Sequence, residues 1–423
     1  MKKGLSQYHV RHGLEVCENS GKMPVPDGRR VSRIPSLLSA FLLVTTLAGC
    51  QPGLRHGATP KGGIRAIWVT RWDYKTPGDI VRVMENCRRA GFNTVLFQVR
   101  GNGTVMYPSR LEPWADEVGG RDPGFDPLKL ACREAHRRGM SLHAWVNVVP
   151  GWRGKAPPTD RRQLYWSRAA WFWRDEGGRR QPFGWYNSLN PCYPEVRKYL
   201  VAVMQEIVSR YPVDGLHMDY IRFPNDWHDS YQPASKVPDY PRDPRTLALF
   251  RRATGHTPES NKRAWDAWRT EQVTQLVRDI RAMMRATKPR AILSSAVGAS
   301  PDEANRNHHQ DTRRWMAEGL VDVVYPMNYA IDSKTFDRRL RIWSGMRSRI
   351  PVVTGIMFDG REISAIVRQI QQARRSSPHI AAFAYNSLFE RPAAKVSHQD
   401  EKSSDSRRSL RKYMIPFLRR LAQ

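Results

Sequence analysis

The segment GLHMDYIRFP, residues 215–224, is the part of this sequence that says most about its fold. Read as a β-strand, it sends Leu216 and Met218 to one face and His217 and Asp219 to the other, because side chains alternate across a strand. An apolar face and a titratable face suit a barrel of parallel strands, in which the first packs under helices and the second points inward. Asp219, at the C-terminal end of this strand, is therefore the first catalytic candidate. The alternative is a structural carboxylate that ties down the strand end.

Strand and helix patterns alternate on both sides of this stretch. Further strands are predicted at residues 65–70, 93–100, 141–147, 291–297, 321–328, 351–356 and 380–385. Helices are predicted at residues 78–90, 127–138, 194–210, 265–288, 311–318, 335–347, 362–375 and 409–421. Eight strands alternating with eight helices predict an α/β fold, a (β/α)8 TIM barrel with long loops on its C-terminal face. The alternative, an open doubly wound sheet, would need a glycine-rich phosphate loop after the first strand, and the sequence has none there.

The loops that follow strands are much longer than those that precede them. They cover residues 101–126, 148–191, 224–264 and 298–310. Long loops confined to one face of a barrel mark its functional face. These loops carry many aromatic side chains, namely Trp114, Trp152, Trp166, Trp171, Trp173, Trp185, Tyr186 and Trp227. Aromatic faces in an open cleft suit the apolar faces of sugar rings, and the alternative is that the rings cover one another.

The same alternation places further polar or aromatic side chains on inward strand faces. The candidates for binding a substrate are Arg100, His143, Trp145, Asn147, His217, Asn328 and Tyr329. Polar groups inside a barrel destabilise it unless they are paired, so several of them at strand ends predict a site. A lone member such as His143 is more often a satisfied core histidine.

Ordinary glycoside hydrolysis needs two carboxyl groups, one as acid and one as nucleophile or base. Asp219 supplies one, and we expect the second to be Asp332, because it closely follows Asn328 and Tyr329. Other carboxylates on the same face are Asp73, Glu112, Asp116, Asp359 and Glu390. A metal site built from the histidines near Asp219 is the weaker interpretation, since no HExxH or His-x-His motif accompanies them. We therefore expect neither a metal nor a cofactor.

Composition narrows the range of partners. The chain has 423 residues, 40% of them hydrophobic, and can bury a large core. Its formal net charge of +29 favours an anionic partner. Nucleic acid is not expected, because the basic residues are spread along the chain and no nucleic-acid-binding motif appears.

The N-terminal region has the features of an export signal. Three arginines precede an apolar run at residues 34–48, which ends in LAGC at residues 47–50. The run is too short to span a membrane and is typical of a signal peptide. LAGC matches the lipobox of bacterial lipoproteins, in which the cysteine, here Cys50, is acylated. The sequence thus predicts a lipid-anchored protein of the bacterial cell envelope, facing the periplasm or the exterior. The alternative is an ordinary secretory signal.

These features divide the chain into four parts. Residues 1–50 are the signal peptide, with Met23 as a second candidate start. Residues 51–63 are a flexible tether, residues 64–390 the barrel, and residues 391–423 a linker with a basic C-terminal helix.

Several motifs, in order along the chain, resemble the glycosyl hydrolase-like 10 family of bacterial envelope proteins. They are GIRAIWVT (63–70), FQVR (97–100), DPGFDPL (122–128), HAWVN (143–147), DGLHMDYIRFP (214–224), VYPMNY (324–329) and AYNSL (384–388). The resemblance implies a (β/α)8 barrel and a glycosidase, with peptidoglycan glycan strands stripped of stem peptides as the substrate in one branch. Many relatives have paired carboxylates where this chain has Asp219 and Tyr220, so only Asp219 is carried over.

We therefore expect a glycoside hydrolase that cleaves O-glycosidic bonds of an envelope polysaccharide, with peptidoglycan glycan strands as the favoured substrate. Asp219 would act as nucleophile or base, and Asp332 as acid. One alternative is a catalytically inactive glycan-binding lipoprotein that lacks a working acid. Another is a structural envelope protein whose barrel mouth is filled.

Overall fold

A computed structural model describes residues 62–223, 240–358, 361–392 and 404–421. The predicted signal peptide, Cys50 and nearly all of the tether lie outside these residues. So do Trp227 and Asp359.

The described residues contain ten strands. They are β1 (Arg65–Val69), β2 (Thr94–Arg100), β3 (Ser141–Asn147), β4 (Pro150–Arg153), β5 (Tyr186–Ser188), β6 (Gly215–Asp219), β7 (Ile292–Val297), β8 (Val323–Pro326), β9 (Thr354–Met357) and β10 (Ile380–Phe383). All except β4 and β5 form one parallel sheet in the order β8-β7-β6-β3-β2-β1-β10-β9. Bridges from Val324 to Val352 and from Met327 to Gly355 join β8 to β9. The sheet is thus a barrel, which confirms the predicted (β/α)8 fold.

Helices alternate with the barrel strands. Within the described ranges they are α1 (Pro77–Arg89), α2 (Pro127–His136), α3 (Leu164–Ser167), α4 (Pro194–Arg210), α5 (Pro244–Thr254), α6 (Lys262–Thr287), α7 (Pro301–His308), α8 (Thr312–Ala317), α9 (Ser333–Ser344), α10 (Ile363–Ser376), α11 (Tyr385–Leu388) and α12 (Ser404–Arg420). No helix in this part of the chain combines the length and the apolar character needed to cross a bilayer.

The sequence patterns predicted the barrel strands and the main outer helices, but not the elements inside the long loops. The unpredicted elements are β4, β5, α3, α5, α7 and α11. Several of them are only three or four residues long, too short for a clear periodicity. Antiparallel β4 and β5 form a small two-stranded sheet in the loop after β3.

Short capping motifs set where the outer helices begin. The Thr76 side chain accepts a hydrogen bond from the Asp79 amide, and Asp79 reaches back to the Thr76 amide, so the two form a capping box before α1. Asp126 caps α2 in a similar way, by accepting from the Lys129 amide. These caps fix the ends of the loops that lead away from the strands.

The barrel interior below the mouth is filled by side chains. Trp68, Leu96, Trp145 and Tyr325 are buried there in one apolar cluster. Trp68 also packs over Gly355, where a methyl group would lie 3.1 Å from the Trp68 ring and 2.8 Å from the Pro326 carbonyl oxygen. The interior is therefore a packed core, and a site can form only at the barrel mouth above it.

The C-terminal helix α12 packs directly on the barrel. Its residues Leu410, Met414 and Leu418 are buried. Arg419 Nε donates to the Arg89 carbonyl at the end of α1 at 2.6 Å. The helix thus contributes to the outer layer, and the segments on either side of the predicted boundary at residue 390 pack together.

Candidate active site

Asp219 is the last residue of β6 and lies at the barrel mouth. Its side chain is largely buried, and Oδ1 accepts hydrogen bonds from the Tyr220 amide at 2.7 Å and from Arg222 Nη1 at 3.3 Å. Tyr220 has a φ of 49°, a left-handed conformation that is unfavourable for a bulky residue. Backbone strain of this kind clusters at functional sites, where the surrounding structure must hold it. The chain thus turns sharply after Asp219, and Tyr220 and Arg222 fix its carboxylate.

Asn147 lies beside Asp219 on the neighbouring strand. The two residues are register partners at the ends of β3 and β6. Asn147 Nδ2 donates to the Tyr186 hydroxyl at 3.3 Å. Asn147 Oδ1 is buried and has no hydrogen-bond partner among the described residues. Tyr186 belongs to the β4–β5 sheet, and its ring packs 4.9 Å from that of Tyr220, so this small sheet forms one wall of the mouth.

Tyr329 reaches the same place from the loop after β8. Burial raises the pKa of its hydroxyl well above the usual value, and the negative charge of Asp219 adds to the shift. The hydroxyl therefore stays protonated at any physiological pH. It has no hydrogen-bond partner within the part of the chain that the structure describes. Asn147, Asp219 and Tyr329 are thus the predicted site residues that the fold brings together.

Arg71 and Trp72 also lie at the mouth, directly after β1. Arg71 Nε donates to Glu117 Oε1 at 2.5 Å, and the Arg71 guanidinium lies 4.1 Å from the Trp72 ring centre. Arg71, Trp72 and Glu117 were not among the residues expected from the sequence. Arg71 and Trp72 lie just beyond the end of β1, and this position was the signal that could have identified them.

His217 lies one layer below the mouth, inside the barrel core. Its register partner is Trp145, whereas Asp219 pairs with Asn147 one layer above. Trp68 Nε1 donates to His217 Nε2 at 3.1 Å, and His217 Nδ1 lies 3.0 Å from Ser294 Oγ. Because an indole nitrogen can only donate, Nε2 is unprotonated and Nδ1 carries the proton. Burial lowers the pKa of His217 well below the usual value, and the ring is a neutral core group rather than a substrate ligand.

His143 lies lower still, and the expectation that it binds substrate does not fit its position. Its register partner is Gly215, the first residue of β6, four residues before Asp219. Four strand residues span about 13 Å. A methyl group at Gly215 would lie 2.8 Å from the His143 ring, so the ring packs against bare backbone. The alternation of side chains correctly predicted that His143 faces inward, but it does not show how far below the mouth the residue lies.

Arg100 is buried away from the barrel interior, against expectation. The register of β2 on β3 shifts between Gln98 and Arg100, so Arg100 pairs with Val146, whose side chain belongs to the outer core. Such an irregularity reverses the alternation that the prediction assumed. Arg100 forms a bidentate pair with Glu112, at 2.8 and 2.7 Å. Its Nη1 donates to backbone carbonyls that include those of Asn147 and Val148. Arg100 therefore holds the end of β3 in place, and Glu112 is its counter-ion.

Asp332, the expected acid, is an exposed helix cap. Its side chain accepts a hydrogen bond from the Thr335 amide, 2.7 Å away, at the start of α9. This hydrogen bond lowers the pKa of the Asp332 carboxyl. An acid that must donate a proton benefits from a raised pKa. The position that suggested catalysis is thus explained by helix capping, and we assign Asp332 no proton-donating role.

Three other carboxylates named from the sequence also have defined surroundings. Asp73 is buried and accepts from Arg391 Nε at 2.9 Å and from Thr70, although burial raises its pKa. Glu390 is exposed and pairs with Arg411 at 2.8 Å. Partial burial and the negative charges of Glu117 and Asp160 raise the pKa of Asp116.

Two further predicted ligands are only partly available. Asn328 Nδ2 donates to the Phe336 carbonyl at 3.0 Å, which ties the loop after β8 to α9, while Oδ1 has no partner in the described residues. Trp145 is buried in the interior cluster. Both side chains are buried, so they stabilise the structure beneath the mouth and expose little surface to a ligand.

Some aromatic residues of the long loops cover one another, whereas others lie at the mouth where a sugar could bind. Trp173 is buried against Phe223 and Tyr240, and Trp152 is also buried, so these rings serve packing. Trp185 and Tyr186, by contrast, lie with Arg153 next to Trp72, within the set that surrounds the mouth. The sugar-stacking interpretation therefore applies to the second group.

Four buried polar atoms around the mouth have no hydrogen-bond partner in the described ranges. They are Arg71 Nη1, Asn147 Oδ1, Trp185 Nε1 and the Tyr329 hydroxyl. Buried polar groups are normally hydrogen-bonded, so their grouping beside one carboxylate is typical of a site that binds a polar ligand. The described residues contain no group of three or more His, Cys, Asp or Glu side chains that could hold a metal ion.

Comparison with known sequences gives one family match and several relatives. The model of the family glycosyl hydrolase-like 10 matches residues 63–376. Glycosyl hydrolase DigH of Escherichia coli K12 is 28% identical over 412 residues, covering 82% of this chain and 85% of the relative. Glycosyl hydrolase YngK of Bacillus subtilis 168 is 25% identical over 327 residues, covering 68% of this chain and 59% of the relative.

Comparison with solved structures supports the fold. The glycoside hydrolase domain of PgaB (BpsB) from Bordetella bronchiseptica superposes with a TM-score of 0.56 at 12% identity, covering 76% of this chain and 93% of that domain. The catalytic domain of a β-amylase from Paenibacillus polymyxa gives a TM-score of 0.55 at 10% identity, covering 85% of this chain and all of that one. At such low identity the likeness extends to the barrel and not to the residues of the site.

Proposed function

Because this chain belongs to the glycosyl hydrolase-like 10 family, we propose that it is a glycosidase in which Asp219 is the reacting carboxylate. The observation that carries this proposal is the position of Asp219. It ends a barrel strand, is held by Tyr220 and Arg222, and lies among buried polar atoms that have no partner in the described residues. Active sites of (β/α)8 enzymes lie at this end of the strands.

Asp219 acts as nucleophile or as general base on the anomeric carbon or on a water molecule beside it. Arg222 and the Tyr220 amide hold Oδ1, which limits the orientations of the carboxylate. Preorganisation of this kind spares the reacting group a reorientation during the reaction. The Asn147 amide oxygen and the Tyr329 hydroxyl bind sugar hydroxyl groups on either side of it. Trp72 and Trp185, each with an arginine over its ring, contribute aromatic surface at the edge of the site.

The proposed substrate is the glycan strand of peptidoglycan. Three features of the chain support this choice: the resemblance to a family with a peptidoglycan-cleaving branch, the predicted signal peptide, and the lipobox that ends in Cys50. A protein anchored in the envelope meets this polymer. The net charge of +29 also favours an anionic polymer as partner.

Chromatography of soluble products tests the proposal. The full chain is incubated with peptide-free glycan strands, with intact peptide-bearing strands and with chitin oligosaccharides of matched length. We expect sugar fragments from at least one of these substrates, and from peptide-free strands most rapidly. Binding without any fragment from any substrate, at any pH between 4 and 9, would contradict the glycosidase proposal.

A further inference from the structure

Arg71 is a buried cation with an unused donor at the mouth. Its side chain is only 2% exposed. The guanidinium lies flat across Gly101, where any side chain would clash with it. Nε donates to Glu117 Oε1, whereas Nη1 has no hydrogen-bond partner among the described residues. A buried guanidinium nitrogen without an acceptor is destabilising, so its retention indicates a ligand that accepts from it.

A second cation lies nearby. The Arg153 guanidinium lies 5.7 Å from the Trp72 ring centre and 5.0 Å from that of Trp185. Arg71 lies over the same Trp72 ring at 4.1 Å. A third arginine, Arg391, lies 6.0 Å from the Trp72 ring centre and pairs with Asp73. Glu117 neutralises Arg71, but no carboxylate of the described residues forms an ion pair with Arg153. The arginines around Trp72 thus carry one more positive charge than the carboxylates beside them neutralise.

Arg71 and Arg153 are linked to the surroundings of Asp219 through Tyr186. Its ring lies 5.4 Å from the Arg153 guanidinium and packs on Tyr220, and its hydroxyl accepts from Asn147, the register partner of Asp219. Burial opposes the charge of Arg71, but Tyr186 and Glu117 outweigh it and raise the pKa of Arg71, which therefore stays charged. Arg153, Tyr186 and Asn147 thus form a continuous series of contacts that leads to the strand end carrying Asp219.

We propose that Arg71 and Arg153, which lie around the Trp72 ring, form a subsite for a carboxylate carried by the bound saccharide. This inference rests on the glycosidase proposal and names its substrate class, an acidic saccharide. Guanidinium groups bind carboxylates through paired, charge-assisted hydrogen bonds, which suits an unused Nη1 beside a second arginine. In peptide-free peptidoglycan, the carboxylate is that of the lactyl ether on muramic acid. In a uronic acid polymer, it is the C6 carboxylate.

Binding to the Asp219→Asn variant of the full chain separates recognition from turnover. Titration calorimetry would use four tetrasaccharides: peptide-free peptidoglycan, the same with its lactyl carboxyls converted to primary amides, chitotetraose and a hyaluronan tetrasaccharide. We expect at least one acidic saccharide to bind at least about tenfold more tightly than its neutral counterparts, equivalent to about 1.4 kcal/mol. The acidic saccharide that shows this preference identifies the source of the carboxylate.

Two substitutions place that preference at the subsite. Arg153→Gln, at a partly exposed position, should abolish the preference for acidic saccharides without lowering the melting temperature. Arg71→Gln combined with Glu117→Gln should also abolish the preference for acidic saccharides. Both members of the buried pair lose their charge together, so neither is left without its partner. Arg121→Gln, in an exposed loop, is the matched control for loss of one positive charge and should leave the preference unchanged.

Equal affinity for acidic and neutral saccharides would overturn the subsite, as would a preference that survives both substitutions. Absence of binding by all four saccharides would also overturn it. Turnover by the unsubstituted chain is measured in parallel. Cleavage of neutral and acidic saccharides at equal rates would leave the glycosidase proposal standing while the subsite fails.

Discussion

Asn147 and Asp219 are register partners at the last paired positions of β3 and β6. One layer below, Trp145 pairs with His217, and at the bottom of the barrel His143 pairs with Gly215. The inward side chains of these two strands thus form three layers, and only the uppermost reaches the mouth. This arrangement separates residues that meet a ligand from residues that build the floor beneath it.

We expect Glu112 to contribute to the folding stability of the protein and not to catalysis. Glu112→Gln leaves the Arg100 guanidinium buried without its counter-ion, which typically destabilises a protein by about 3–5 kcal/mol. We expect a melting temperature several degrees lower and unchanged turnover per folded molecule. Glu390→Gln, which breaks the exposed pair with Arg411, is the control and should cost less than about 1 kcal/mol. A Glu112→Gln variant with normal stability but no turnover would show that Glu112 acts on the substrate.

Buried histidines should make the fold sensitive to acid. Burial lowers the pKa of His143 from 6.5 to about 4. The unfolded chain therefore binds this proton more readily, and the stabilisation is complete above pH 6.5 and is lost as the pH falls to about 4. The loss is on the order of 3 kcal/mol. We expect the melting temperature to fall less between pH 7 and pH 4.5 in His143→Phe than in the unsubstituted chain.

The exposed His256→Gln is the control for His143 and should behave like the unsubstituted chain. His217 and His309 also have pKa values lowered by burial, so His143→Phe should keep part of the acid sensitivity. An identical pH dependence in His143→Phe and the unsubstituted chain would contradict the assignment of His143 to the buried floor.

Asp332 offers a test of helix capping. Asp332→Ala removes the acceptor for the Thr335 amide and should destabilise the protein by about 1 kcal/mol, while Asp332→Ser should restore most of the loss. Denaturant titration of both variants measures the difference, and both should retain turnover. Loss of turnover in both variants at unchanged stability would return Asp332 to the candidate acids.

Period-two and helical patterns were sufficient to predict the barrel, because parallel strands covered by helices bury one continuous apolar face. The mouth was harder to predict. The alternation of side chains identified Asn147 and Asp219 as site residues. It also predicted His143 and His217 as site residues, because it contains no information on how far below the mouth a residue lies. Arg100 was misplaced because the register shift in β2 changes the face without a marker such as glycine or proline. Arg71 and Glu117 were missed because two loops far apart in sequence bring them together.

Cys50 carries the proposed lipid anchor and lies outside the described residues. When the chain is produced in a bacterial host with its own N-terminal sequence, radiolabelled palmitate should be incorporated, and Cys50→Ala should abolish the label. Cys87→Ala is the control, because Cys87 is a buried free thiol, and this variant should remain labelled. Labelling of Cys50→Ala equal to that of the unsubstituted chain would contradict the anchor.

Turnover by Asp219→Asn shows whether Asp219 is the reacting carboxylate. The variant keeps the size of the side chain and an oxygen that can accept from Tyr220. The measurement is the initial rate of fragment release from the substrate that the unsubstituted chain cleaves fastest, once the melting temperatures of the two proteins have been shown to agree. We expect a rate at least about 100-fold lower for Asp219→Asn and an unchanged rate for Asp332→Ser. A folded Asp219→Asn variant that cleaves at the unsubstituted rate would rule out Asp219 as the reacting group.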